Sequence, residues 1–515
     1  MSAPRVITEP LGGGPLARAV QDGQVPAEWF GRRPVGAAAW KAHAEAVRAE
    51  FAGSRWLAGL RPAFDPSGPA KERLERVAAE HGVVVTTGQQ PGLFGGPAYT
   101  ILKAVSALAL ADRIERETGI PTAPVFWAAT DDADFAEASW TAVAEEGTVR
   151  RLSVPRHGPD GLVMSEMKLG DVSEQYERLV QAAGSAPHQG ILDSLRAAYQ
   201  PDATVGGAYL QFLRSVLEPH GIAVIDAWHP ATRAAGRPTL VEALRRANAI
   251  DEALALRMVA IERAGFRAQV ARVPRLSLVF RSTAGIKERV PILQAADVAD
   301  RADSVLSANV LLRPVVERRI LPTIAYVGGP GEIAYFAQVS AVAEALGVSA
   351  PLAVPRWSAT IVEPSVDRRL GRLGMVLDDV RTPHDAERRL GERAMPTSLR
   401  EALDGLREEV ARRLAAIGEA TASFDHLVPE RVVEGARHQM LHRVDRLERR
   451  LRAAARARHV DAVQDLAAVR AAVMPEGKRQ ERRLNPVPML ARHGDLLFAQ
   501  LKAGAAMHAG TLVGG

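Results

Sequence analysis

A β-branched run, His81 to Thr87, opens directly into a glycine-rich segment, Thr87 to Pro97. Tyr99 to Glu117 then reads as one long helix that stops at Gly119, and Pro124 to Thr130 forms a second apolar run. Strand, glycine-rich loop, helix and strand in that order make a βαβ unit, whose crossover joins parallel strands. The pattern resumes with Gly221 to Asp226, with Leu321 to Val327 leading through Gly328-Gly329-Pro330-Gly331-Glu332 into a helix ending near Leu346, and with Pro351 to Pro355 entering Arg356-Trp357-Ser358. The expected fold class is therefore α/β, with a parallel, doubly wound sheet. Two stretches interrupt it, roughly 145–215 and 240–312, where such folds grow substrate-handling modules.

A chain of 515 residues is too long for one simple core, so two or three units are expected. The core spans 1–365 with its insertions. From 366 to 470 the composition shifts to Arg, Glu, Leu and Ala. Leu399, Leu403, Leu406, Val410 and Leu414 form one apolar stripe, and Val433, Met440, Val444, Leu447, Leu451 and Ala454 form another, separated by Pro429. That spacing predicts an antiparallel helical hairpin of coiled-coil type. Residues 471–515 return to the core.

The net charge of +5 is small for this length, and the arginines alternate with acidic residues, which reads first as solvated helix faces. Nucleic-acid binding by the hairpin, 397–460, is the weaker alternative. There is no apolar run of about 18 residues to span a membrane, and Met1 to Pro15 lacks the apolar stretch of a secretory signal. A cytoplasmic protein is expected. The chain contains no cysteine, which excludes disulfides, thiolate metal ligands and a cysteine nucleophile; any thiol chemistry must come with a substrate. None of the thirteen histidines sits in a metal-ligand pattern, and no G-x-S-x-G element occurs, so metal-hydrolase and serine-hydrolase readings drop out.

Three segments carry the chemistry. Thr87, Gly88, Gln89, Gln90, Gly95 and Gly96 lie between a strand and a helix beginning at Tyr99, where backbone N–H groups and the helix dipole favour an anion. The spacing matches neither the dinucleotide fingerprint nor the P-loop, and Lys103 lies too far along the helix to serve as a P-loop lysine. Asp131, Asp132, Asp134 and Glu137 put four carboxylates at a strand's carboxyl end. Mutual repulsion there raises at least one pKa, which suits a general base, a cradle for an ammonium group, or Mg²⁺ bridging nucleotide phosphates. Asp134 and Glu137 also have capping-box spacing. Tyr326, Gly329, Gly331, Glu332 and Tyr335 form a second strand-to-helix turn, expected to face the first across the strand-order reversal.

Taken together, these segments resemble the BshC family. Its loop T-G-Q-Q-x-G-L-x-x-G-P, its run F-W-x-A-x-E-D-H-D-F-x-E and its segment G-G-P-G-E-I-A-Y all have counterparts here, in order. So do Asn309 to Pro314 and a closing motif, Pro475 to Asn485, and the matches cover most of the chain. The resemblance implies a Rossmann-like core with two connecting insertions and a coiled coil used for homodimerisation. It implies a ligase that joins L-cysteine to the amine of glucosaminyl-malate in the last step of bacillithiol biosynthesis. Activation of a carboxylate calls for ATP (leaving ADP if a phosphate is transferred) with Mg²⁺. In this reading the glycine-rich turns hold malate or phosphate groups, the acidic run orients the amine and accepts its proton, and Arg313 and Arg356 pair with carboxylates in bidentate fashion. One departure stands out: Ala133 occupies the position of the family's histidine, and Asp131 that of its glutamate. A diverged or inactive relative binding a related metabolite is the alternative.

Overall fold

The computed structural model describes residues 3–31, 33–424 and 428–514. Its chain divides into two compact units: 1–143 with 150–361 and 480–515, and 144–149 with 362–479. In the first unit the strands that matter here are β1 (Val83–Gln89), β2 (Thr122–Ala128), β3 (Ala223–Asp226), β4 (Leu276–Thr283), β5 (Ile286–Pro291), β6 (Val305–Ala308), β7 (Thr323–Gly328) and β8 (Ala353–Pro355).

The central sheet has the order β8-β7-β1-β2-β3 and every pairing is parallel. Alternation along the strands sends side chains to two separate cores, as a sheet covered on both faces requires. Val83, Val85, Phe126 and Val224 join the cluster built with helix α1 (Tyr99–Thr118) and the C-terminal helix Val487–Gly514, whereas Val84, Val125, Trp127 and Ile225 point to the cluster of helices Trp56–Phe64 and Gly68–Ala79. All of these residues are buried. Helix α1 is apolar around most of its circumference because it lies between the sheet and the terminal helix.

From β1 the chain winds through β2 to β3 on one side, then returns to place β7 and β8 on the other. The strand order therefore reverses between β1 and β7, and the crevice beyond their carboxyl ends is where open α/β sheets bind ligands. Both glycine-rich turns leave from these two neighbouring strands, as the sequence predicts. The insertion before β3 is a short ribbon followed by helices Ser173–Ala183, Gly190–Ala198 and Val205–Leu217. The insertion before β7 contains helix Ala247–Arg263 and an antiparallel sheet of order β5-β4-β6.

The second unit carries the hairpin, with helices Thr397–Ser423 and Glu430–Ala457. Arg407 reaches Asp445 and Glu448 of the facing helix at 2.9 and 2.7 Å, and Gly418 lies beside Val433, so the helices run antiparallel. Leu403, Leu414 and Val444 are buried along the seam, but Leu406, Met440 and Leu447 of the predicted stripes are exposed. Arg412 and Arg437 pair with Glu409 and Glu434 on their own helices, so part of the hairpin's positive charge is neutralised locally. Among the described residues, no helix is long and apolar enough to cross a membrane.

Candidate active site

A cavity of about 730 Å³ opens at the strand-order reversal, between the carboxyl ends of β1, β2 and β7 and the second insertion. Of the residues singled out in the sequence, Gly88, Gln89, Gln90, Tyr99, Asp131, Asp132, Arg313, Tyr326, Gly329, Gly331, Glu332, Tyr335 and Arg356 line it. Thr87, Gly95, Gly96, Asp134 and Glu137 do not.

The first glycine-rich turn is shaped by its own backbone needs. Gly95 N–H donates to Gly92 O and to the Tyr199 hydroxyl, Gly96 N–H to Leu93 O and Ala98 N–H to Leu484 O. Those three donors are therefore engaged within the protein. Gly95 has φ +86°, and a Cβ there would lie 2.7 Å from the Phe212 ring. Gly88 is required for a different reason, since a Cβ would stand 2.8 Å from Trp127 O on β2. Thr87 donates its hydroxyl to Val327 O at 2.8 Å and so ties β1 to β7.

Lys103, which the spacing sets aside, stands at the centre of the site. One turn into α1 its side chain is buried and its ammonium donates to Gly88 O at 2.7 Å and Gln89 Oε1 at 3.0 Å, while Nζ lies 2.5 Å from Glu332 Oε2. P-loop spacing was the wrong template: here the lysine joins the two turns to each other. Glu332 also accepts from Gly329 N–H at 2.7 Å and the Tyr326 hydroxyl at 2.5 Å. Burial alone would raise the Glu332 carboxyl, but Lys103, Tyr326 and Gly329 together hold it below the usual carboxylate range. Burial lowers the Lys103 pKa, opposed by Glu332 and assisted by the charges of Arg356 and Arg313.

The two arginines expected to bind ligand carboxylates have protein partners. Arg313 Nη1 donates to Glu317 Oε2 at 2.7 Å, with its guanidinium 4.9 Å from the Tyr326 ring centre and Nη2 3.4 Å from the Tyr335 hydroxyl. Arg356 meets Glu481 through two bonds of 2.9 and 2.6 Å, both side chains about 3% exposed. The bidentate partner of Arg356 is a carboxylate of the closing motif. That motif thus returns to the core to neutralise a cation at the sheet edge, while its Gln480 bonds both ways with the Ile361 backbone.

The acidic run is divided by task. Asp131 pairs with Lys287 of β5, whose ammonium also donates to Asp131 O at 2.8 Å. Asp132 Oδ1 accepts the N–H groups of Ala133 and Asp134 at 2.6 and 2.9 Å, leaving Oδ2 without a donor among the described residues. Asp134 caps the short helix Phe135–Ala138, as its spacing suggested. Glu137 accepts from Gln90 Nε2 at 2.6 Å. The pKa values of Asp132 and Glu137 are raised, by burial first; repulsion from Asp131 on the former, and from Asp134 and Asp132 on the latter, is the smaller cause. Among the described residues no group of three or more carboxylates or histidines is placed to hold a metal ion.

Four basic residues of the cavity were not singled out in the sequence because they come from the insertion or the closing motif: Lys287, Arg272, Arg289 and Arg482. Arg272 forms two bonds of 2.6 and 2.7 Å with Asp251. Their only signal is positive charge, which many surface positions share.

The order of these motifs and their convergence on one cavity can be set beside known proteins. Residues 40–357 match the family model "Bacillithiol biosynthesis BshC, N-terminal Rossmann-like domain", and residues 359–511 match "Bacillithiol biosynthesis BshC, C-terminal coiled-coil domain". The chain belongs to the BshC family. A relative from Koribacter versatilis is 33% identical over 441 residues, covering 82% of this chain and 81% of its own length. One from Solibacter usitatus is 30% identical over 85% of both chains, and one from Symbiobacterium thermophilum 30% over 81% of both. All three carry the name "Putative cysteine ligase BshC". The BshC Rossmann-like domain accounts for the central sheet, and the BshC coiled-coil domain for the hairpin.

Proposed function

We propose that this protein joins the carboxyl group of L-cysteine to the sugar amine of glucosaminyl-malate, forming an amide in the last step of bacillithiol biosynthesis, in the cytoplasm. What supports the reading is the convergence of three family motifs on one cavity beside Asp132, a carboxylate with a raised pKa and one unengaged oxygen. A sugar amine is largely protonated in neutral water and attacks only after losing that proton. Asp132 is the proposed acceptor, since burial makes its carboxylate the more basic. The carbon–nitrogen bond forms at the cysteine carboxyl carbon as the activating group leaves with its electron pair. Asp131, held by Lys287, and Glu332, held by Lys103, are proposed to keep the wall around the amine charged and fixed.

A free carboxylate does not condense with an amine in water, so ATP with Mg²⁺ is the proposed co-substrate. Among the described residues no group of three or more carboxylates or histidines is placed to hold a metal ion, and the N–H groups of Gly95, Gly96 and Ala98 are engaged within the protein. Ala133 lines the cavity next to Asp132. With methyl in place of the family's imidazole, proton acceptance falls to Asp132. We further infer a homodimer through the hairpin, because Leu406, Met440 and Leu447 remain 42–49% exposed.

The test is incubation of purified protein with L-cysteine, glucosaminyl-malate and MgATP, read by mass spectrometry for the cysteinyl amide. The expected result is product that requires all three reactants. Absence of any amide with every amino acid tried, from protein and from Ala133→His alike, would reject the ligase reading. Product from Ala133→His alone would instead identify a relative that binds without turning over.

A further inference from the structure

Seven basic side chains line the cavity, and five have a carboxylate of their own: Lys103, Arg272, Lys287, Arg313 and Arg356 pair with Glu332, Asp251, Asp131, Glu317 and Glu481. Two remain. Arg482 is exposed, so water solvates its charge. Arg289 is different, because it is half-buried in the insertion wall and no carboxylate among the described residues offsets it.

The conformation of Arg289 is nonetheless well defined. It lies on β5 directly opposite Phe280 of β4, with its guanidinium 5.4 Å from the Phe280 ring centre, and Nε donates to Ser277 O at 2.7 Å. A ring contact and one hydrogen bond hold the planar group in place. Nη1 and Nη2 are left without an acceptor among the described residues, on a side chain that lines the cavity. Lys287 Nζ lies 4.7 Å from the same ring, adding positive potential at this end. A guanidinium withdrawn from water and left unpaired is unfavourable unless something supplies the missing charge. Guanidinium forks of this kind match carboxylate and phosphate oxygens through paired N–H donors.

We propose that Arg289, braced by Phe280 and Ser277, anchors an anionic group, carboxylate or phosphoryl, of a ligand bound at the insertion end of the cavity. The anchor lies on the insertion rather than on either glycine-rich turn. Only the choice of probes rests on the ligase reading, because the experiment measures binding and needs no turnover.

Full-length protein, Arg289→Gln and Arg289→Lys are titrated by calorimetry with L-malate, L-cysteine, inorganic phosphate and ADP at constant ionic strength. At least one probe is expected to bind the unaltered protein and to bind Arg289→Gln about 10- to 100-fold more weakly, the loss of a charge-assisted bidentate contact, with a smaller loss for Arg289→Lys. Malate or cysteine as the affected probe identifies a substrate carboxylate; phosphate or ADP identifies a phosphoryl group. Ligand-free Arg289→Gln should melt no lower than the unaltered protein, since an unpaired charge has been removed. Affinities unchanged within about twofold for every probe that binds, no probe binding the unaltered protein, or a clearly lower melting temperature for both variants would each overturn the proposal. A failed ligase assay alongside an Arg289-dependent anion would leave the anchor standing and reject only the reaction.

Discussion

The Arg356–Glu481 pair offers the sharpest test of how the closing motif is held in the core. Both side chains are about 3% exposed and share two hydrogen bonds, and Arg356 Nη1 also donates to Trp357 O at 2.7 Å. Glu481→Gln keeps the shape but leaves the guanidinium buried without its counter-charge. Removing one member of a buried pair costs about 3–5 kcal/mol, whereas replacing both with apolar groups of similar volume is near neutral. For a unit of roughly 390 residues, with an unfolding entropy of about 2.1 cal/mol/K per residue, that is about 4–6 °C in Tm. The assay is thermal and urea denaturation of Glu481→Gln, Arg356→Met and the double variant Arg356→Met/Glu481→Met. Each single change should carry the full cost and the double variant much less, giving a coupling of several kcal/mol. Single changes costing under about 1 kcal/mol, or strictly additive costs, would refute the reasoning.

Asp132→Asn should lower amide formation by at least about 100-fold while leaving the fold intact, because Asn Oδ1 still accepts from Ala133 and Asp134. The folded pKa of Asp132 lies above its unfolded value, so its charged form costs stability at neutral pH and that cost disappears in acid; the variant's Tm should match or exceed that of the unaltered protein near pH 7, and converge with it on acidification. Lys103→Met strands the Glu332 carboxylate and should destabilise by about 3–5 kcal/mol. Glu332 has a depressed pKa, so its contribution is present above the unfolded pKa and lost as pH falls through the folded one; the deficit of Lys103→Met measured by denaturation should therefore shrink in acid. Gly95→Ala combines a φ of +86° with a 2.7 Å approach to Phe212, and should cost about 1–3 kcal/mol in urea denaturation. A neutral result there would mean the loop relaxes freely.

The α/β class, the parallel sheet, the two neighbouring turns and the hairpin were determined by the sequence alone, because each rests on local periodicity and on glycines at strand ends. The family was legible for the same reason, its motifs being contiguous runs such as Thr87 to Pro97. Which charges meet was not legible. Arg356 and Glu481 are 125 residues apart, Lys287 and Asp131 are 156 apart, and many carboxylates stood within equal reach by spacing alone. Lys103 is the clearest case: its place on α1 followed from the pattern, but only the packing of α1 against β1 and β7 brings its ammonium between Gly88 and Glu332. Tertiary structure also decided what Arg313 and Arg356 bind and left the half-buried Arg289 without a carboxylate partner among the described residues, because the pairing of a charge depends on the three-dimensional environment that removes it from water.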